Sequence, residues 1–392
     1  MKILFVHNNY ASNNSGEEHA SQALADLLTQ NGHEVQWYRR SSDVIGDAFK
    51  SKLAAFFLGI YNPKAVKELR QKIKTFQPDV IQVQNLYPFI SPAILRMIRK
   101  LKIPLVMRCP NYRLFCPTGL HLDGKGTVCE KCVSGSRELN CVLKNCERNH
   151  FKSIGYALRN VVARTYWGIY KYVDVYIVQT EFQKQKFIAN GLPADKLYVV
   201  PGLTPTLEKV EPHHNPTLVS YIGRVSWEKG IVEFVEAARQ LPHIPFRVIG
   251  SASEEFADLK QKAPTNVTWT GFLTGKELDA MYQASKIIVV PGKWFEGFPN
   301  VMTRAMKHGK PVIASRLGAM SSIIDHGKNG LLVPPGEVTA LAQAIEDLYG
   351  NDSLCMELGD NAKQNAEHLY TTEKVYNGLL EAYNYAIKQH VI

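Results

Sequence analysis

The chain has 392 residues, 45% of them hydrophobic and 21% charged, with a formal net charge of +10. That length exceeds one ordinary core and suits two domains, and the composition excludes a disordered or collagen-like chain. No apolar run reaches the roughly 18 residues of a spanning helix, and the opening Met-Lys-Ile-Leu-Phe-Val-His-Asn-Asn has no signal-peptide core or cleavage site, so the expectation is a cytoplasmic protein that starts on a buried strand.

In chain order, Ile3–His7 is a short apolar run and Glu17–Gln30 reads as the helix after it. Gly32-His33-Glu34 is a stop signal before a second strand, Val35–Tyr38. The stretch 48–76 interleaves Lys50, Lys52, Lys64, Lys67, Arg70, Lys72 and Lys74 with Phe49, Leu53, Phe56, Phe57, Leu58 and Ile60. Such a face packs on a core in the commoner case, and lies in a membrane interface in the other. Val80–Val83, Leu105–Met107, Val173–Val178 and Leu197–Val200 are further strands, followed by Leu218–Ile222, Phe246–Ile249, Val267–Thr270, Ile287–Val290, Val312–Ala314 and Gly330–Val333. These runs are short, rich in Val and Ile and spaced by helix-length segments. That pattern predicts parallel sheets covered by helices on both faces. Residues 201–216 hold Pro201, Gly202, Pro205, Pro212 and Pro216 and read as a linker. Domain one is therefore expected at 1–205, with a cysteine-rich insert at 109–146, and domain two at 206–370. The segment 371–392 contains a helix, Glu373–Lys388, with apolar residues at Val375, Leu379, Leu380, Tyr383 and Ala386.

The charge is uneven. Residues 1–205 hold 28 Lys+Arg against 15 Asp+Glu (+13), which leaves 18 against 21 (−3) in the remainder. A basic half draws a membrane surface, nucleic acid or an acidic substrate, or is simply a solvated surface. No RNA-binding signature or groove-reading helix accompanies it, so nucleic acid is not expected as a partner. No G-x-G-x-x-G follows the first strand, which argues against a dinucleotide oxidoreductase.

Seven cysteines, an odd count without a leader, do not make a secreted disulfide scaffold. Cys129, Cys132, Cys141 and Cys146 form one C-x-x-C and two later thiols, which could bind a structural zinc and order a glycine-rich loop, residues 119–135. Cys109, Cys116, His121 and His150 are substitute ligands, and free or disulfide-linked cysteines are the other readings. The loop follows the strand Leu105–Met107, so it belongs at the C-terminal edge of the sheet, where ligands bind.

The second half carries the chemistry. Tyr221-Ile222-Gly223-Arg224-Val225-Ser226-Trp227-Glu228-Lys229-Gly230 runs from a strand through a loop into a helix. Arg224 and Lys229, five residues apart at that corner, suit a pyrophosphate and offset charge on a nucleoside-diphosphate leaving group; alone, they also read as two surface cations. A second stretch, Pro291 to Met306, places Glu296-Gly297-Phe298-Pro299-Asn300-Val301 at a helix start, where backbone N–H groups and the dipole favour an anion. A third runs through Lys310-Pro311-Val312-Ile313, Gly318 and Gly327–Pro335.

Together these motifs resemble glycosyltransferase family 4, closely over about 216–350 and more loosely before that, with Ser15-Gly16-Glu17-Glu18 at the family's first glycine-rich loop. The resemblance implies the GT-B fold, α/β with two facing Rossmann-like domains of parallel sheets and an interdomain cleft. The N-terminal domain would bind the acceptor and the C-terminal one the nucleotide sugar, with helix 371–392 packed back on the first. It implies a retaining, metal-independent hexosyltransferase using a UDP- or GDP-linked sugar, which the absence of an Asp-x-Asp motif supports. The acceptor would be a glycan or polyprenyl-linked species in cell-surface polysaccharide synthesis, at or near the inner face of the membrane. By the resemblance Arg224 and Lys229 hold the diphosphate and Glu296 the sugar hydroxyls. Backbone groups of Gly223, Gly250, Gly297, Phe298, Asn300 and Val301 complete the site, and Gly16 approaches from the other domain.

Three departures matter. Arg304 stands where the family usually has a glutamate for the donor ribose; a guanidinium only donates, so Arg304 is expected at a phosphate, at an acidic donor sugar or in solvent. Gln82-Val83-Gln84 replaces a His-x-His strand end. Pro110-Asn111-Tyr112-Arg113 replaces a motif that often begins with His, leaving Asn111, Tyr112 and Arg113 as acceptor-side candidates. The alternative these departures favour is a catalytically weak nucleotide-sugar-binding protein.

Overall fold

The computed structural model describes all residues except 11–15, 45–48, 134–136, 205, 212, 214 and 392. The chain divides into two compact units, Met1–Leu203 with Thr372–Ile392, and Thr204–Thr371.

The first unit runs β1 (Lys2–Asn9), α1 (Gly16–Gln30), β2 (Glu34–Ser41), α2 (Phe49–Ile60), α3 (Pro63–Phe76), β3 (Val80–Asn85), α4 (Ala93–Lys100), β4 (Leu105–Arg108), α5 (Leu139–Leu143), α6 (His150–Thr165), β5 (Val175–Val178), α7 (Glu181–Ala189) and β6 (Leu197–Val199). Its strands pair in parallel in the order β2-β1-β3-β4-β5-β6. A parallel strand is covered on both faces, so almost every residue of β1 and β3–β5 is buried, including the polar Gln82 and, toward the C-terminal ends, His7, Asn8, Gln84, Asn85 and Arg108. The basic stretch 48–76 is two helices. Tyr61-Asn62 breaks it, the Asn62 side chain caps α3 by accepting from the Ala65 N–H at 3.0 Å, and Pro63 fills the first turn. α3 buries Ala65, Leu69, Ile73 and Phe76 and turns its cations outward.

The second unit runs β7 (Leu218–Ile222), α8 (Ile231–Gln240), β8 (Phe246–Ile249), α9 (Ala257–Gln261), β9 (Val267–Gly271), α10 (Gly275–Ala284), β10 (Ser285–Val290), α11 (Asn300–Lys307), β11 (Val312–Ser315), α12 (Ala319–Ile323), β12 (Leu331–Val333), α13 (Val338–Tyr349) and α14 (Asp352–Leu369). Its sheet is also parallel, in the order β12-β11-β10-β7-β8-β9. The order reverses direction between β7 and β10, the position at which open α/β sheets leave a ligand crevice.

The last helix, α15 (Thr372–Val391), belongs to the first unit. Val375, Leu379, Tyr383 and Ala386 are fully buried against Ile3, Val106, Val175 and Ile177. Tyr383 donates its hydroxyl to the Gln82 side chain. Glutamine at position 82 therefore anchors this helix from the middle of β3. No described helix is long and apolar enough to cross a membrane.

Candidate active site

β7 ends in Gly223, which takes φ +144°, and its N–H donates to the Ile249 carbonyl at 2.9 Å. A Cβ on Gly250 would lie 1.9 Å from the Gly223 carbonyl oxygen, so the two strand ends touch backbone to backbone. Tyr221 then donates its hydroxyl to the Arg224 carbonyl at 2.6 Å and pins the loop. The loop closes in a short 3₁₀ turn, Trp227–Lys229, and Gly230 at φ +77° opens α8. A Cβ there would meet the Pro291 carbonyl oxygen at 2.0 Å. Only glycine lets the corner after β7 lie so close to the loop after β10, and the Lys293 N–H to Glu228 carbonyl bond, 2.8 Å, ties them further.

That close approach assembles the site. Lys229 Nζ donates to Glu296 Oε1 at 2.5 Å, across 67 residues of sequence. Trp294 donates its Nε1–H to the same oxygen at 3.2 Å, and Lys229 Nζ lies 5.3 Å from the Trp294 ring centroid. Glu296 is 6% exposed. Arg224 is ion-paired to Glu228 with its side chain largely in solvent, and Lys293 pairs with Glu233 at 2.6 Å. The C-terminal edge of the second sheet thus holds Arg224, Lys229 and Lys293, each against one carboxylate, at the β7/β10 reversal. A doubly charged phosphate ligand arriving there exchanges lysine–carboxylate contacts for charge-assisted bonds of the same kind.

After Glu296, Phe298 is buried edge-on to Tyr370, and α11 starts at Asn300 with Pro299 as its cap residue. The Asn300 N–H donates to the Phe298 carbonyl at 3.1 Å, so it is engaged within the turn, while the Asn300 Oδ1 is buried without a partner. Arg304, expected at a phosphate, an acidic sugar or solvent, is forked onto Asp279: Nε to Oδ1 at 2.8 Å and Nη2 to Oδ2 at 2.7 Å. Asp279 is fully buried and also takes the His308 Nε2, 2.7 Å, and the Glu208 N–H, 2.8 Å. Burial pushes the Asp279 carboxyl up, but these bonds outweigh it and hold it below the usual range. Burial keeps His308 below the usual imidazole value despite the carboxylate. The Asp279–Arg304–His308 cluster was not foreseen; its only sequence signal is Arg304 and His308 one helical turn apart.

In the first unit, Gly16 opens α1 with open space around its Cβ position, while Ser15 lies outside the described residues. Asn111 and Arg113 line a hollow at the end of β4, and Asn111 Oδ1 accepts the Arg113 N–H at 3.0 Å. Tyr112 does not join them. It is fully buried against Phe115, His121 and Phe187, because alternate residues of the turn point in opposite directions. For the candidate zinc set, among the described residues no three His, Cys, Asp or Glu side chains are placed to share a metal ion, while Cys116, Cys129, Cys132, Cys141 and Cys146 gather within electrostatic reach of one another. All seven cysteines are free thiols. Cys141 Sγ points at the Ser153 carbonyl across the α5–α6 contact and hydrogen-bonds Cys146, Cys116 faces the Thr118 hydroxyl, and burial followed by the neighbouring Cys116, Cys146 and Cys129 pushes the Cys132 thiol up. Backbone bonds also order the insert, such as the Gly124 N–H to the Lys144 carbonyl at 3.1 Å.

Residues 205–365 match the family model described as Glycosyl transferases group 1. The match covers most of the second unit, which is therefore similar to that family. Among curated relatives it is 26% identical, over 84% of this chain and 79% of that one, to a 42.6 kDa protein in the cps region of Klebsiella pneumoniae. It is 23% identical to the O-antigen chain mannosyltransferase C of Escherichia coli over 42% of this chain and 45% of that one, so it spans under half of that relative. Among solved structures, Anabaena HepE in complex with UDP and glucose superposes with a TM-score of 0.66 at 18% identity, covering 97% of this chain and 98% of that one. The fold is GT-B, with two Rossmann-like domains.

Proposed function

We propose that the chain is a group 1 glycosyltransferase that moves a sugar, with retention, from a nucleoside-diphosphate donor to a glycan or lipid-linked acceptor in cell-surface polysaccharide synthesis. The observation that carries the reading is Lys229 against Glu296, with Arg224 on the same corner, at the β7/β10 reversal. Lys229 and Arg224 neutralise the diphosphate as it leaves, and Glu296 accepts from the hydroxyls of the sugar being transferred. Transfer on one face, with the departing phosphate taking the acceptor proton, asks for no protein base. HepE's complex with UDP and glucose favours UDP as the nucleotide, and the O-antigen and cps-region relatives favour a glycan product. Turnover of a nucleotide-sugar panel by wild type, Lys229→Ala and Glu296→Ala tests it: release of nucleoside diphosphate by wild type, collapsing in both variants, is expected. Binding without turnover in the wild type selects the weak-binder reading, which the Arg304–Asp279 fork favours by leaving no carboxylate at position 304 for a ribose.

A basic, apolar surface on the first unit supports work beside the cytoplasmic face of a membrane. α6 is inverted: small or polar Ser153, Ala157, Asn160 and Ala163 face inward, while Phe151 (87% exposed), Ile154 and Leu158 face out. Leu139 and Leu143 of α5 and Leu53 and Phe57 of α2 are exposed too, and the Gly155 Cβ position lies 3.2 Å from the Phe56 ring, so α2 and α6 adjoin. Residues 137–172 carry seven Lys and Arg against two Glu, which complements anionic headgroups around buried apolar side chains. Co-sedimentation with phosphatidylglycerol vesicles, reduced in a Leu143→Ser/Phe151→Ser variant, is expected; equal retention of both proteins removes this part.

A further inference from the structure

The first unit contains a small hollow of about 60 Å³ at the C-terminal edge of its sheet, lined among others by Glu17, Gln84, Arg108, Asn111 and Arg113. Gln84 and Arg108 end β3 and β4, adjacent strands, beside the β1/β3 reversal of the strand order. Arg108 is 3% exposed and its Nη1 has no hydrogen-bond partner. The Arg113 Nε and both polar atoms of the buried Gln84 amide are in the same condition. A third guanidinium, Arg159, lies 4.1 Å from the ring centroid of Tyr87, which also lines the hollow, and 4.4 Å from that of Tyr156, with its Nε and Nη2 unpartnered.

Two guanidiniums, Arg108 and Arg113, meet one lining carboxylate here, with Arg159 behind Tyr87; Arg113 also donates to the Tyr10 hydroxyl, and Glu147 acts on Arg159 from outside the hollow. That carboxylate, Glu17, is bonded by the Tyr10 hydroxyl at 2.8 Å, and burial raises it against the pull of Arg113 and Arg108. Residues 11–15, next to it in the chain, contain no acid. A buried lysine or histidine escapes such a place by losing its proton, but arginine does not. Buried donors without acceptors and charge without countercharge both destabilise a fold. The arrangement becomes favourable when an acceptor-only, negatively charged group enters, and planar guanidinium forks match carboxylate and phosphate oxygens.

We propose that this hollow seats an oxyanion carried by the acceptor, gripped by Arg108 and Arg113 with the Gln84 amide beside them. The acceptor is then an acidic one, bearing a carboxylate or a phosphate, rather than a neutral sugar. This rests on reading the first unit as the acceptor's. The test is calorimetric titration of the full chain with glucuronate, inorganic phosphate, pyrophosphate and glucose. Each is run in the wild-type and Lys229→Ala backgrounds, the second removing the donor-side cation. Expected is one anion site per chain that survives Lys229→Ala, weakens ten-fold or more in Arg108→Met and in Arg113→Gln, and ignores glucose. Preference for glucuronate assigns a carboxylate-bearing glycan; preference for phosphate or pyrophosphate assigns a phosphate-bearing acceptor. Arg108→Met should hold or raise the melting temperature, because it deletes an unpaired buried charge; an arginine with a purely structural role would lower it. Gln84→Leu, which removes an amide with no partner, carries the same binding expectation should Arg108→Met fold poorly. No anion binding in the Lys229→Ala background, or binding lost with Lys229 and kept without Arg108, overturns the proposal while leaving the donor reading intact. Nucleotide-sugar binding indifferent to Lys229 would sink the donor reading and leave this one standing.

Discussion

Removing the Lys229 ammonium separates its two roles, one in the resting protein and one in the reaction. In the resting protein it sits 2.5 Å from Glu296, with side-chain exposures of 25% and 7%. Lys229→Ala leaves the carboxylate buried with the Trp294 N–H still donating at 3.2 Å. The lysine is partly solvated and one donor persists, so the stability cost falls below that of a fully buried pair, at about 1–2 kcal/mol. In the reaction proposed above the ammonium would face charge that grows on the leaving diphosphate, and losing one such contact would cost about 3–4 kcal/mol, or two to three powers of ten in turnover. The assay pairs urea unfolding with release of nucleoside diphosphate from the donor. Because the two side chains touch, Lys229→Ala and Glu296→Ala combined should cost less than the sum of the singles. Additive losses, or near-normal turnover in Lys229→Ala, would refute the role assignment.

Arg304→Leu should destabilise by about 1.5–3 kcal/mol, since it removes the forked charged partner of the fully buried Asp279 carboxylate while His308 and the Glu208 N–H still bond it; a denaturant midpoint shared with wild type would contradict the fork. Gly230→Ala, at φ +77° with a carbonyl oxygen 2.0 Å from the new methyl group, should part the two loops, so donor binding measured by calorimetry should fall together with thermal stability. Burial lowers His7 and His121 to about 4, so both are neutral in the fold while the unfolded chain protonates them near 6.5. Their contribution is complete above that value and is lost as pH falls from about 6.5 towards 4, by up to about 3 kcal/mol each. His7→Gln and His121→Gln should each flatten urea-derived stability against pH in that window.

The alternation of short Val- and Ile-rich runs with helix-length segments is a local property. It was legible for all twelve described strands because a strand buried on both faces is rich in Val, Ile and Leu even where single polar residues interrupt it. The corner after β7 was legible too, since Gly223 and Gly230 sit where the backbone has to turn and approach another loop. The break between α2 and α3 went unread because a capping asparagine acts on one turn only, inside a stretch whose composition stays amphipathic.

What the chain order alone determined is the list of cations, carboxylates and glycines at strand ends, because parallel sheets gather such residues along one edge. What only the tertiary structure decided is which charge meets which. Lys229 finds Glu296 through a glycine-tight contact of two loops, and Arg304 turns to an aspartate on α10 instead of a ligand. Tyr112 goes into the core between two neighbours that line a hollow, and Arg108 ends beside it with an unpaired N–H. Side-chain pairing and burial depend on distances across the fold, and no spacing along one chain encodes them.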